Sequence, residues 1–449
     1  MTFIQHHMMT KKSILILLLL SLFGPMMAQN VKETSSCTGI FIEPSLRYGS
    51  FVPFASRHHY IKESSLYGLD LRVGRQTDGS KAWEELFSYP SYGLLFRYEH
   101  NTLDSAKYEH RDQAGQAVTD WVPIGDCFTV AGFLDGHLYN GKTCSLDYGF
   151  TFGLSFWPKY GNEFIGSPID AHLAFQLGPT LHASDQLDLF ARAMFSHSSD
   201  GALKLPNYGT NVLSGSIGVR YYMENRPSVQ FREPEIWCPT WAFYASNAFG
   251  MLQTNTRLHG HLPSEMPYYS ADYIQMGFTH HFHPKFRYNV GLEVGYTGET
   301  KVKYDQAYLR AIGDPNEEET LETSLEDYSF PKSIHVATSC SFEVMYNKLA
   351  ISLGLGYYLY HGIYLGTDEH KTWGVTENSM TAFERQYLPD DYRNLFERLG
   401  IKYYFGKDNR FYAGMFVKAH SSVDYIEWTL GTHLFQQKGK ERMLFRDNN

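Results

Sequence analysis

Charge is scarce in this sequence: only 19% of its 449 residues are Asp, Glu, Lys or Arg. Aromatic residues make up 16%, and that load excludes disordered chains and fibrous repeats. Positive charge is scarcer still, with a formal net charge of −9, which argues against a nucleic-acid binder. Long apolar runs are missing too. Outside one N-terminal stretch, no segment reaches the roughly 18 apolar residues of a spanning helix. Cysteine is limited to five scattered residues, Cys37, Cys127, Cys144, Cys238 and Cys340. Neither Cys-x-x-Cys nor a Cys-x-x-His zinc spacing occurs among them, and zinc-ribbon or thiol-redox chemistry goes with it. One structural disulfide stays open, with Cys127–Cys144 as the candidate.

What the chain has instead is 33 Tyr, 31 Phe and 38 Gly. Residues 1–28 read as a secretory signal peptide. Lys11 and Lys12 supply the positive start, Ser13 to Phe23 the apolar core, and Gly24-Pro25-Met26-Met27-Ala28 the cut. That core is too short to span a bilayer as a stable helix. Losing the two lysines takes the net charge to about −11. Cys37 lacks the small-residue context of a lipoprotein site, so no lipid anchor is expected. The chain is expected to be exported.

Beyond the leader, segment after segment alternates with period two, the pattern of a half-buried strand. In residues 147–156, Tyr148, Phe150, Phe152, Leu154 and Phe156 share one face. In 286–296, Phe286, Tyr288, Val290, Leu292, Val294 and Tyr296 do the same. A soluble sandwich also alternates. The opposite face decides, because it carries Gly, Ser and paired charges where a solvated surface carries Lys and Glu. Aromatic residues gather at the segment ends, as in an interfacial girdle. The pattern predicts an all-β, antiparallel transmembrane barrel of the outer membrane.

About sixteen such segments run from 41–53 to 424–436, with short and long connections alternating. The long ones face outward if both termini are periplasmic. One of them, 300–332, holds Glu317, Glu318, Glu319, Glu322 and Glu326. It reads as a solvated acidic loop, with a divalent-cation site as the sharper alternative. Residues 224–239, with Pro227, Pro234 and Pro239, form a connector between a first half (29–223) and a second (240–449). A single barrel of about sixteen strands is the favoured closure, and two tandem eight-stranded barrels are the alternative.

The informative stretch is 196–211, SHSSDGALKLPNYGTN. Leu187, Leu189, Ala191, Ala193 and Phe195 lead into it on one face, and His197 and Ser199 continue that face. On the next segment Asn211 shares parity with Leu213, Ile217, Val219 and Tyr221. A His, a Ser and an Asn therefore project towards lipid at the outer ends of adjacent strands. Unsatisfied polar groups facing hydrocarbon cost several kcal/mol each. Their clustering points to a serine nucleophile, a histidine base and a group orienting the imidazole. Residues emerging into the headgroup region are the bland alternative. The local echo His420-Ser421-Ser422 has the opposite parity. It shares a face with Lys418, Glu427 and His433, and reads as a polar network inside the barrel.

His197-Ser198-Ser199 followed by Pro206-Asn207-Tyr208-Gly209 resembles the H-x-S-N…P-N-x-G signature of the lipid A 3-O-deacylases, the PagL-like acyloxyacyl hydrolases. Further likeness to long members of that family lies in Gly49–Pro53, Asn162–Ser167 and Ala419–Trp428. The resemblance implies an outer-membrane esterase releasing the acyl chain ester-linked at position 3 of lipid A. Ser199 is then the nucleophile, His197 its base and Asn211 the third member. Asn207 and the backbone at Gly201 would hold the oxyanion. The partner is lipopolysaccharide of the outer leaflet, and neither metal nor organic cofactor is implied. Two positions depart from the family: Asn211 stands where Glu is usual, and Asp200 where Asn follows the serine. An inward face with Arg220, Arg287, Glu293 and Glu427 also admits a channel, and the two departures admit a non-catalytic scaffold.

Overall fold

The protein is seen in a computed structural model. It describes residues 38–52, 64–102, 105–111, 117–162, 164–201, 203–204, 207, 209–228, 236–253, 268–298, 330–361, 395–420 and 422–443. The leader, Cys37, Pro206, Tyr208 and the acidic residues Glu317 to Glu326 lie outside the described residues.

The alternating segments form β1 (Ile40–Phe51), β2 (Ser65–Gln76), β3 (Ser91–Asn101), β4 (Ser105–Arg111) and β5 (Ala117–Pro123). Then come β6 (Cys127–Asn140), β7 (Cys144–Phe156), β8 (Ile169–His182), β9 (Leu187–Ser199) and β10 (Thr210–Tyr222). Past the connector lie β11 (Ile236–Trp237), β12 (Thr240–Gln253), β13 (Tyr268–His283), β14 (Phe286–Thr297) and β15 (Ile334–Tyr346). The last are β16 (Leu349–His361), β17 (Leu395–Phe405), β18 (Phe411–His420), β19 (Ser422–Lys438) and β20 (Arg442–Met443). One short helix, α1 (Ala82–Leu86), sits in the turn after β2.

Backbone groups in hydrocarbon must all be bonded within the protein, so strands have to close on themselves. They close twice here. The first barrel runs β1-β10-β9-β8-β7-β6-β3-β2, and the second runs β12 to β19 in chain order. β4 and β5 make a separate hairpin, and β11 pairs with β20. The favoured sixteen-stranded ring is therefore corrected to two eight-stranded barrels. Phe41 pairs with Tyr222 to seal the first, and Thr240 with Lys438 to seal the second.

The physical reason lies inside. An eight-stranded barrel has an interior just wide enough for side chains to fill, and long ion-paired side chains fill both. In the first, Glu43 is fully buried and binds Arg72 and Arg220 at 2.7 Å each, and Arg192 as well. Arg97 holds Asp70 at 2.8 Å, and Arg72 also reaches Asp135 at 2.6 Å. In the second, Arg398 bridges Glu293 (2.7 Å) and Glu427 (3.0 Å), while Lys402 meets Glu343 at 2.7 Å. The cavity among Tyr273, Ser352, Arg398, Lys402 and Glu427 holds about 30 Å³, room for water only. Arg220, Arg287, Glu293 and Glu427 face inward as their parity requires, but they plug the barrels. A channel along the described residues is closed by these pairs.

The exterior is apolar. Leu46, Leu213, Ile217, Trp428 and Leu430 all stand exposed on outer walls. Closed antiparallel barrels with apolar walls and charged interiors are built for an outer membrane. The two barrels touch near both rims. Phe87, just after α1, stacks on Tyr346 with ring centroids 4.0 Å apart. At the other end Gly201 is pressed against Ile426.

Cys127 and Cys144 are free thiols. They begin consecutive antiparallel strands, so they sit at opposite ends of the β6–β7 pair. A dozen strand residues separate the ends by roughly 40 Å, far beyond disulfide reach. The candidate disulfide is ruled out by topology.

Candidate active site

On β9, Phe190, Met194, Ser196 and Ser198 are buried inside the barrel, while Leu189, Ala191 and Ala193 are exposed outside. Phe195, His197 and Ser199 continue the outer face and are half-buried. On β10, Leu213, Ile217 and Tyr221 face out, and Ser214, Ser216 and Arg220 face in. The parity read from the sequence holds on both strands.

Asn211 lies directly opposite His197 in the β9–β10 ladder. Cross-strand neighbours share a face, so the side chains meet. The separation of His197 Nδ1 and Asn211 Oδ1 is 2.7 Å. An amide oxygen only accepts, so the ring donates from Nδ1 and Nε2 keeps its lone pair. That is the tautomer a general base needs.

Gly209 brings the serine into register with this pair. Its φ is +68°, a left-handed conformation suited to glycine. A Cβ there would lie 2.9 Å from His197 Cε1 and 3.0 Å from Ser199 Cβ. Both side chains thus flank one point on the Gly209 backbone, and any larger residue would push them away.

The loop after Ser199 carries the oxyanion candidates. Gly201, at φ +65°, turns the chain two residues after Ser199. Asn207 donates from Nδ2 to Asp200 Oδ1, which leaves its second amide proton for other use. Burial pushes the Asp200 carboxyl up to about 6, against hydrogen bonds from Lys204, Asn207, Ser167 and Leu203. The structure gathers His197, Ser199 and Asn211; Asn207 it ties to Asp200.

Sequence reasoning left the supporting contacts unassigned. Val52 N–H donates to the Asn211 carbonyl at 2.8 Å, and Gly209 N–H to the Phe164 carbonyl at 3.0 Å. Asn162 Oδ1 accepts from the N–H groups of Phe164 and Ile165 at 2.9 Å each. Phe51, Trp157, Phe164, Ile165 and Val212 form a buried apolar cluster by the barrel mouth. The signal was in plain view: Phe51 and Val52 belong to the 49–53 fragment, Asn162, Phe164 and Ile165 to the 162–167 fragment, and Ile426 against Gly201 to the 419–428 fragment. Four fragments scattered along the chain converge on one rim.

The second His-Ser-Ser echo has different surroundings. Lys418, Glu427 and His433 are buried, whereas Trp428 and Leu430 are exposed. The side chains of His420 and Ser422 lie outside the described residues. On the outer wall of the first barrel, a groove of about 850 Å³ includes Leu46, Tyr48, Leu177, Ala191, Ala193 and Ile217 in its lining. Ala193 stands four residues before His197 on the same face of β9, roughly 13 Å down the wall.

Residues 241–376 match the family model described as acyloxyacyl hydrolase, C-terminal domain. The matched segment begins in the second barrel, so it does not include the His197 rim. No curated protein matches the chain. Among solved structures, Neisserial surface protein A is 10% identical over 41% of this chain and 97% of its own, with a TM-score of 0.27. The NanC porin is 8% identical over 88% of this chain and 99% of its own, with a TM-score of 0.13.

Proposed function

We propose that this chain, whose residues 241–376 are similar to the C-terminal domain of acyloxyacyl hydrolases, is an outer-membrane esterase that releases the 3-O-linked acyl chain of lipid A. The observation that carries the reading is the lipid-side rim where His197 bonds Asn211 at 2.7 Å and shares Gly209 with Ser199. A base with a free Nε2, a hydroxyl on the same face and an apolar wall below suit an ester whose acyl chain stays in the membrane.

In this reading Ser199 Oγ attacks the ester carbonyl and passes its proton to His197 Nε2. Asn211 keeps the ring oriented and supplies no charge to the imidazolium. The tetrahedral oxyanion takes the second N–H of Asn207 and backbone N–H groups at the Gly201 turn. Collapse expels the sugar alkoxide, which recovers the proton from His197. Water, deprotonated by the same nitrogen, then frees the fatty acid and restores Ser199. No metal or organic cofactor takes part in these steps, and the partner is lipopolysaccharide in the outer leaflet.

A non-catalytic barrel is the second reading, supported by the Asn207–Asp200 bond and by Asn211 where the family has Glu. Incubating the purified protein in mixed micelles with lipid A separates the two. Mass-spectrometric loss of one 3-O-acyl chain is expected. Unchanged lipid A over prolonged incubation with folded protein would sink the esterase reading.

A further inference from the structure

Behind the Ser199 rim, on the inner side of the same strand ends, lie buried oxygens that meet no hydrogen-bond partner. Asp170, the second residue of β8, is 1% exposed, and neither carboxylate oxygen has a hydrogen-bond partner. Asp200 is 4% exposed; the Asn207 amide and the neighbouring groups of Lys204, Leu203 and Ser167 serve its carboxyl, but its Oδ2 meets no hydrogen-bond partner. The Asn207 amide oxygen is buried and unpartnered as well. Asp170 lies close enough to Asp200 to feel its charge. Beside Asp170 stands the buried indole of Trp157, whose N–H approaches the carboxylate without reaching full hydrogen-bonding geometry.

The contrast with the rest of this barrel is the point. Glu43 has three arginines, Asp70 has Arg97, Glu99 has Arg47, and Asp135 has Arg72. Among the described residues, Asp170 and Asp200 form no ion pair with Lys, Arg or His. Burying two carboxylates together is strongly unfavourable unless one of them keeps a proton or a cation lies between them. Four unpartnered oxygens from Asp170, Asp200 and Asn207 make an all-oxygen donor set, which suits a hard cation and no soft one.

We infer that a divalent cation of the calcium class binds at this barrel mouth, held by the carboxylates of Asp170 and Asp200 and the amide oxygen of Asn207. Water completes the six to eight oxygens such an ion takes. No third His, Cys, Asp or Glu joins these residues into a larger cluster among the described residues. The charge count therefore places the site among weak ones, with Kd on the order of 10⁻⁴ to 10⁻³ M. The cation would fasten the start of β8 to the loop that follows Ser199. The site is independent of the esterase reading, because its donors and their burial do not require hydrolysis.

The test uses the full-length protein folded in detergent micelles and stripped with EDTA. Terbium is titrated in while tryptophan is excited, and calcium is then added; calcium binding is followed separately by calorimetry. Terbium emission displaced by calcium is expected. Trp157→Phe should remove most of that emission while the calorimetric calcium signal stays. Asp170→Asn should weaken calcium binding by about tenfold or more. If Asp170→Asn does not give the folded band on unboiled gels, Asp200→Asn, whose carboxylate lies in the loop, gives the same reading. Absence of displaceable emission and of calcium heat in the wild type overturns the proposal. So does binding unchanged in the Asp variants, which would put the metal elsewhere on the chain. Heat resistance that ignores calcium but rises in Asp170→Asn would mean a proton shared by the two carboxylates, and no cation.

Discussion

His197 and Asn211 face each other across the β9–β10 ladder, with 2.7 Å between Nδ1 and the amide oxygen. The pair fixes the ring and its tautomer, but an amide brings no negative charge to meet the imidazolium formed during attack. Orientation and charge can therefore be separated at one position. In serine triads, turning the acid into an amide lowers turnover by about 10⁴-fold, much of it through the wrong tautomer, which the His197–Asn211 bond here avoids. Asn211→Glu should restore the missing charge alone, raising deacylation of lipid A by a smaller factor, roughly 10- to 100-fold. The readout is the initial rate of acyl release, with the unboiled-gel band as a check of folding. A lower rate in a folded Asn211→Glu protein would show that Asn211 has a role other than orienting His197.

Adjacent serines on β9 point to opposite sides of the wall, so they should respond differently. Ser199 faces out beside His197, and its replacement by Ala should cost about 10³- to 10⁶-fold in turnover, as loss of a triad nucleophile does. Ser198 faces in, where its hydroxyl meets His172 Nδ1 at 2.9 Å and Ser155 Oγ at 3.3 Å. Ser198→Ala should cost about 0.5–1.5 kcal/mol of stability and leave most of the turnover. The comparison needs only rates and melting of the folded band. A reversal of the two outcomes would overturn both the strand parity and the role of Ser199.

That parity was legible in the sequence because a barrel wall leaves only two directions for a side chain. Phe195, His197 and Ser199 follow Ala193 with period two, and no other arrangement keeps Arg192 out of lipid. Closure was not legible. β1 can pair with β10 or with a later strand without altering any alternation, and the choice rests on how Glu43, Arg72, Arg192 and Arg220 fill the space between strands. The site was legible as letters and partly as geometry. His197 and Asn211 came together as their register demands, whereas the bonds from Val52 to Asn211 and from Gly209 to Phe164 join residues over a hundred and about 45 positions apart. Local pattern holds no record of such contacts. The Asn207–Asp200 bond escaped for a related reason, since irregular loops carry no parity.

Gly209 offers a test of geometry without touching any reacting group. Its φ of +68° strains any residue with a Cβ, and that Cβ would fall 2.9 Å from His197 Cε1 and 3.0 Å from Ser199 Cβ. Gly209→Ala should cost about 1 kcal/mol or more from the backbone alone. Activity should fall far more than stability, because the ring and the hydroxyl must part to admit the methyl group. A small displacement at reacting atoms costs on the order of 10²-fold. Unchanged turnover in Gly209→Ala would mean that the two side chains do not act as a pair.

Glu43 tests the interior. Its two oxygens serve Arg72, Arg192 and Arg220, and the side chain is fully buried. Glu43→Gln keeps the shape and part of the hydrogen bonding but removes the only negative charge shared by the three guanidinium groups. Asp135 is left to answer two of them, from Arg72 at 2.6 Å and Arg220 at 3.6 Å. Removing one partner of a buried ion pair costs on the order of 3–5 kcal/mol, so the folded band on unboiled gels should disappear at a clearly lower temperature. The loss should exceed that in a variant such as Leu213→Ala, which trims an exposed side chain on the outer wall. The same packing predicts that the wild-type protein carries no steady current in planar bilayers, because guanidinium and carboxylate groups occupy the space where ions would pass. Stable conductance steps from purified protein, together with an unaltered transition temperature in Glu43→Gln, would show that these side chains are solvated and that the barrel is open.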